Sequence, residues 1–138
     1  MNLNVLSALR RLVVARAGNR CEYCQLSQIA QEATFHIDHV VPITAGGPSI
    51  AENLALACVS CSLRKGARQF AEDPATGQMV PLFSPREHLW AVHFVWQGVH
   101  LIGTTPTGRA TVAALKLNRP AILAIRDEEL ALGRHPTA

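Results

Sequence analysis

The chain has 138 residues, a formal net charge of +3 and an apolar fraction of 49 %, which suits one compact domain with a core of ordinary size. The mild positive balance is compatible with a nucleic-acid partner without establishing one, because ordinary domains carry as much. No apolar run reaches transmembrane length, no internal repeat or low-complexity segment occurs, and an aromatic content of 5 % leaves little for a platform that stacks single-stranded bases.

Asn4 can cap a helix from about Val5 to Ala17, with Leu6, Leu9, Val13 and Ala17 near one face and Gly18 as its stop. Arg10, Arg11 and Arg16 decorate that helix, as solvated charges or as contacts to a phosphate backbone. Arg20 leads straight into Cys21-Glu22-Tyr23-Cys24, the first of two Cys-x-x-Cys pairs.

Phe35 to Val41 then alternates apolar and polar residues before Pro42, the pattern of a half-buried strand, and residues 43–49 read as a glycine-rich turn. Asn53 to Ala57 can return as the partner strand. Cys58-Val59-Ser60-Cys61 is the second pair, and from about Val59 to Phe70 the residues Leu63, Ala67 and Phe70 recur at helical spacing while Arg64, Lys65 and Arg68 fall elsewhere on the surface. The order is strand, turn, strand, helix.

Asp73-Pro74-Ala75-Thr76-Gly77 reads as a turn and Met79 to Phe83 as a short extended segment, which its proline confines to an edge or to no sheet at all. His93 to Trp96 and Val99 to Gly103 flank Gln97-Gly98 as a hairpin with Phe94, Trp96 and Leu101 in the core. Pro106 opens a helix containing Val112, Leu115 and Leu117, and Pro120 opens another through Ile122, Ile125 and Leu130 to Gly133. His88, His93, His100 and His135 follow no metal-ligand spacing.

Cys21, Cys24, Cys58 and Cys61 supply four thiolates, a complete tetrahedral set for structural Zn²⁺ with no position left for a substrate. Two disulfides or four unrelated buried thiols are the competing readings, but every cysteine belongs to a pair, Met1-Asn2-Leu3-Asn4 begins no basic and apolar leader, and a cytoplasmic location keeps thiols reduced. The gap from Gln25 to Ala57 exceeds the usual zinc-ribbon spacing, so the residues between the knuckles form a substructure of their own.

Asp38-His39-Val40-Val41-Pro42, Asn53, and Cys58-Val59-Ser60-Cys61-Ser62-Leu63-Arg64-Lys65 together resemble the HNH endonucleases, with their Asp-His-x-x-Pro strand, central Asn and Cys-x-x-Cys-x-x-x-Lys helix. The flanks 18–24 and 101–112 look like those of small stand-alone bacterial HNH proteins. The fold this implies is α+β: a ββα-metal core at 21–70 stapled by the four-cysteine zinc site, an N-terminal helix at 1–20, and a hairpin-plus-helices extension at 71–138, all in one domain.

Hydrolysing a phosphodiester needs a base for water, a cation to offset charge at the phosphate, and fixed geometry between them. His39 can be the base, because imidazole titrates near neutrality. The resemblance implies that His39 activates the water, that Asp38 holds a catalytic Mg²⁺ or Mn²⁺, and that Asn53 orients the His39 ring through a hydrogen bond. Asp38 and His39 are consecutive on a strand, so both reach one phosphate only if the strand is bulged or ends there.

One departure stands out. Ser62 follows the last cysteine where the family usually carries Asn or His as the second protein ligand of that ion. A hydroxyl is a short, neutral and poorer ligand, although Mg²⁺ tolerates a site in which several waters complete the shell. His36 could add a ligand or be a strand-surface residue. Arg64, Lys65 and Arg68 are read as phosphate contacts beside the scissile bond, or as a solvated helix face. The expected activity is metal-dependent DNA cleavage. The alternatives are a catalytically weak zinc-dependent nucleic-acid-binding module and a protein-interaction domain.

Overall fold

Helix α1 (Leu3–Arg16) opens the computed structural model, which describes residues 3–136 and divides into two units, Met1–Ala67 and Arg68–Ala138. The Asn4 side chain, expected as a cap, lies outside what is described. The apolar face of α1 is thinner than its periodicity promises: Val13 is fully buried, whereas Leu6 is 46 % exposed. Arg16 does much of the anchoring instead. Its Nη1 and Nη2 donate to the carbonyls of Ala51 and Leu54 at 2.9 and 2.6 Å, so this arginine is a structural clamp. Gly18 and Asn19, both with left-handed φ near 60°, turn the chain out of the helix where the glycine announced its end.

Strands β1 (His36–His39) and β2 (Leu54–Ala57) pair antiparallel in a regular register, His36 with Ala57 and His39 with Leu54. All four β2 residues are buried, as expected for an apolar run covered on both faces. The connection contains two single 3₁₀ turns, Ile43–Ala45 and Ala51–Asn53, with Gly46 in the left-handed region between them. Glu22 ties the first knuckle to β2: its amide donates to the Leu56 carbonyl and its Oε2 accepts from the Leu56 amide, both at 2.8 Å.

Helix α2 (Val59–Lys65) is shorter than expected, stopping at Gly66 (φ +54°) rather than continuing to Phe70. The Leu63, Ala67, Phe70 spacing did not mark a core face, since Leu63 is 70 % exposed and Phe70 belongs to a strand. The inward residues of α2 are Cys61 and Lys65, because a helix that begins on a cysteine knuckle aims its second cysteine into the four-cysteine cluster, and the residue four later follows it.

The second unit holds two more antiparallel hairpins, β3 (Phe70–Glu72) with β4 (Met79–Pro81) and β5 (Phe94–Gln97) with β6 (His100–Gly103), and three helices, α3 (Trp90–His93), α4 (Pro106–Ala114) and α5 (Pro120–Ala131). Thr105 caps α4 by accepting from the Gly108 amide at 3.0 Å. Phe83, Phe94, Leu101, Leu115, Leu117 and Ile122 form the core. Trp96 is half-buried, with the Arg126 guanidinium 4.8 Å from its ring centre. Among the described residues, no helix is long and apolar enough to cross a membrane.

Candidate active site

The four cysteines come together, each buried, with ligand atoms within 4.8 Å of one another and no disulfide between them. Cys24 Sγ and Cys58 Sγ stand 3.8 Å apart, close to the edge of about 3.8 Å that a tetrahedron with roughly 2.3 Å metal–sulfur bonds requires. In each knuckle the second cysteine's amide points at the first one's sulfur, at 3.5 Å for Cys24 and 3.4 Å for Cys61. Burial pushes the Cys21 thiol up, and hydrogen bonds shared with the other thiols push Cys61 up. Those same thiols, donating to Cys58, pull it far down. A buried cage of this kind cannot hold four thiolates by itself; a divalent ion that replaces the protons is what its chemistry fits.

Asp38 is buried on β1, at 8 % exposure. Its Oδ2 accepts from the Tyr23 hydroxyl at 2.8 Å and lies 3.3 Å from Lys65 Nζ. Burial raises the Asp38 pKa above 3.8, opposed by the Lys65 charge and the Tyr23 hydrogen bond, which favour the carboxylate. Tyr23 itself is held well above 10 by burial and the Asp38 charge, so it remains a donor. Oδ1 has no partner among the described residues. Lys65, expected at the surface against a phosphate, is instead 2 % exposed and also donates to the His39 carbonyl at 3.0 Å. Its charge is committed inside the unit.

His39, at the end of β1, contacts Ser49 Oγ through Nε2 at 2.8 Å. The expected bond from Asn53 to this ring is not made. Asn53 is nearly buried, and its amide closes on the backbone: Oδ1 accepts from Val41 N at 2.9 Å, and Nδ2 donates to Val41 O at 3.0 Å and Pro48 O at 2.9 Å. Gly47 packs so tightly beside this amide and the Val41 carbonyl that no side chain fits there. Asn53 therefore fixes the loop that carries Ser49, and Ser49 is what touches the imidazole. If Nε2 carries the proton and donates to Ser49, the lone pair falls on Nδ1.

The strand is regular, with no bulge, so Asp38 and His39 diverge. Both nevertheless line a cleft of about 670 Å³, because β1 ends at His39. Arg10, His36 and Ser62 line the same cleft. Ser62 Oγ lies 3.0 Å from His36 Nδ1. Arg10 gives Nη2 to the Phe35 carbonyl at 3.0 Å, and the rest of its guanidinium has no partner among the described residues. Arg64 bonds back along its own helix to Ser60 Oγ at 3.1 Å, and Arg68 belongs to the second unit, where it donates to the Ala114 carbonyl at 3.2 Å.

Two knuckles, a two-stranded hairpin with a histidine at its open end, and a short helix starting on the second knuckle form one continuous unit. Residues 21–68 match the model of the HNH endonuclease family. No curated protein and no solved structure matches the chain. The HNH segment has the α+β, ββα architecture, and its four-cysteine cage suits zinc. HNH domains are generally nucleases that use divalent metals and act on nucleic acids. Arg10, on α1, lies outside the matched residues.

Tyr23, Ser49 and Arg10 were not singled out for these positions in the sequence. One signal existed for Tyr23: the sole tyrosine sits inside a knuckle that must be buried, and a buried phenol needs an acceptor. Nothing local connects Ser49 to His39 or Arg10 to the cleft.

Proposed function

We propose that this protein is a metal-dependent endonuclease that hydrolyses DNA phosphodiester bonds in the cleft at the end of β1. The observation that carries this reading is the convergence on one cleft of a buried carboxylate, Asp38, an imidazole held at Nε2 by Ser49, His39, and a guanidinium with free donors, Arg10. His39 accepts a proton at Nδ1 from the water that attacks phosphorus. As the new P–O bond forms, the bond to the leaving sugar oxygen breaks, and that oxygen takes a proton from solvent.

Asp38, with Oδ1 unpartnered, is the residue that would hold the catalytic Mg²⁺ or Mn²⁺, in the cleft that Ser62 also lines; when bound, that ion supplies charge stabilisation at the phosphate. Arg10 is suited to binding the phosphate oxygens, since a planar fork of donors matches their geometry. It takes the place expected of Lys65. Arg64, half-buried at the cleft end of α2, and Arg68 are further candidates for contacts along the DNA backbone. Zinc in the cysteine cage is structural.

The test is relaxation of supercoiled plasmid by zinc-loaded protein with Mg²⁺, then Mn²⁺, beside identically purified His39→Ala. Metal-dependent nicking by the native chain, reduced by about 10²-fold or more in the variant with DNA affinity retained, is the expected result. DNA binding without cleavage in either ion would favour the zinc-dependent binding module, which the engagement of Ser62 by His36 also makes a specific alternative.

A further inference from the structure

His36 and Asp38 are two residues apart on a strand with unbroken register, His36 facing Ala57 and Asp38 facing Ala55. They therefore share a face. Helix α2 lies across that face and touches it twice: Ser62 meets His36 at 3.0 Å, and three residues later Lys65 meets Asp38 at 3.3 Å. Each strand residue is thus held by one of its polar atoms and left open at the other. Asp38 spends Oδ2 on Tyr23 and Lys65 and keeps Oδ1. His36 spends Nδ1 on Ser62 and keeps Nε2, which has no partner among the described residues. Both residues line the cleft.

We infer that His36, through Nε2, is the second protein ligand of the divalent ion beside Asp38, with Ser62 positioning its ring and not ligating the ion itself. This rests on the nuclease reading above. A ligating imidazole characteristically donates its other N–H to an oxygen, which fixes the tautomer and aims the lone pair; Ser62 Oγ, 3.0 Å from Nδ1, is placed to be that oxygen. A serine at this position is too short and too weak a donor to replace an amide or imidazole directly, but it is placed to act through His36. His39 is not a competing ligand from the same face, because it points the other way along the pleat and its Nε2 is on Ser49. The Lys65 charge next to Asp38 weakens a site made of that carboxylate alone, which makes a neutral nitrogen donor valuable. A mixed oxygen and imidazole set also favours Mn²⁺ over Mg²⁺.

The probe is Mn²⁺ alone, titrated into zinc-loaded protein and read by electron paramagnetic resonance, with pulsed spectra recorded for coupling to an imidazole nitrogen. The native chain should show that coupling. His36→Ala should abolish it and weaken Mn²⁺ binding about tenfold or more, and Ser62→Ala should weaken binding while keeping the coupling. His36→Leu, which refills the volume, guards against a packing effect and should behave as His36→Ala. Circular dichroism and zinc content confirm folding of each variant. Binding that depends on Asp38, shown by its loss in Asp38→Asn, but is unchanged in both His36 variants would overturn the role of His36 and leave the nuclease reading standing. No Mn²⁺ binding by the native chain would overturn both.

Discussion

Lys65 holds its ammonium nitrogen 3.3 Å from Asp38 Oδ2 with the two side chains 2 % and 8 % exposed, and the same nitrogen donates to the His39 carbonyl. A buried ion pair adds little relative to a well-packed apolar pair, but breaking one from a single side strands a charge. Lys65→Met should therefore lower the stability of the first unit by about 3 kcal/mol, whereas Lys65→Met with Asp38→Asn should recover much of that loss. Denaturant midpoints for the two singles and the double measure the coupling. A loss in the double variant equal to the sum of the two single losses would mean that the pair is not coupled.

Zinc removal should do more than stop a reaction. The cage joins the chain before β1 to the start of α2, and the protons that must return to four buried thiolates compete with the metal. Chelation should collapse the circular dichroism of the first unit, more readily as pH falls. A spectrum unchanged after full loss of zinc would show that the cage is dispensable for folding.

Asn53 and Ser49 divide a task that the sequence assigns to Asn53 alone. Asn53→Ala removes three hydrogen bonds to backbone groups of Val41 and Pro48, and leaving such groups unpaired costs about 1–3 kcal/mol. Its main effect should be a lower melting temperature, with cleavage falling as the loop shifts. Ser49→Ala should leave stability nearly unchanged but release the ring, visible as a shifted His39 tautomer balance in nitrogen-15 spectra and as slower cleavage. A tautomer balance unchanged in Ser49→Ala would remove Ser49 from this role.

The ββα order, both knuckles and the two strands were legible because each rests on local chemistry: paired cysteines, alternation through Phe35 to Val41, and glycines where the chain turns. The extent of α2 was not, since Leu63 and Phe70 mimic a helical face and the positive φ of Gly66 decides the matter. Asp38, His39 and Asn53 stood out by residue type and by resemblance, yet their contacts were not legible, because Tyr23 and Ser49 reach them, and Arg10 the cleft, through packing between distant segments. The inward turn of Lys65 follows from Cys61 four residues earlier, a consequence of the cysteine cage that charge alone conceals.

The second unit carries its own acid sensitivity. Asp73 is fully enclosed, accepts from Arg109 Nε and Nη2 at 3.0 and 2.8 Å, and also receives the Ala75 amide and the Thr76 hydroxyl at the β3–β4 turn. The Arg109 hydrogen bonds, ahead of those local donors, lower its pKa from 3.8 to about 2. A carboxylate with a depressed folded-state pKa contributes stability that is complete above the unfolded value and lost as pH falls toward the folded one. The contribution should therefore be intact above about pH 4 and disappear between there and pH 2. Tryptophan fluorescence reads this unit selectively, because Trp90 and Trp96, the only two tryptophans, both lie in it. Melts of the native chain and of Asp73→Asn, recorded from pH 6 to pH 2, should converge over that window. A constant difference down to pH 2 would show that the Asp73 charge is not what holds the turn to α4.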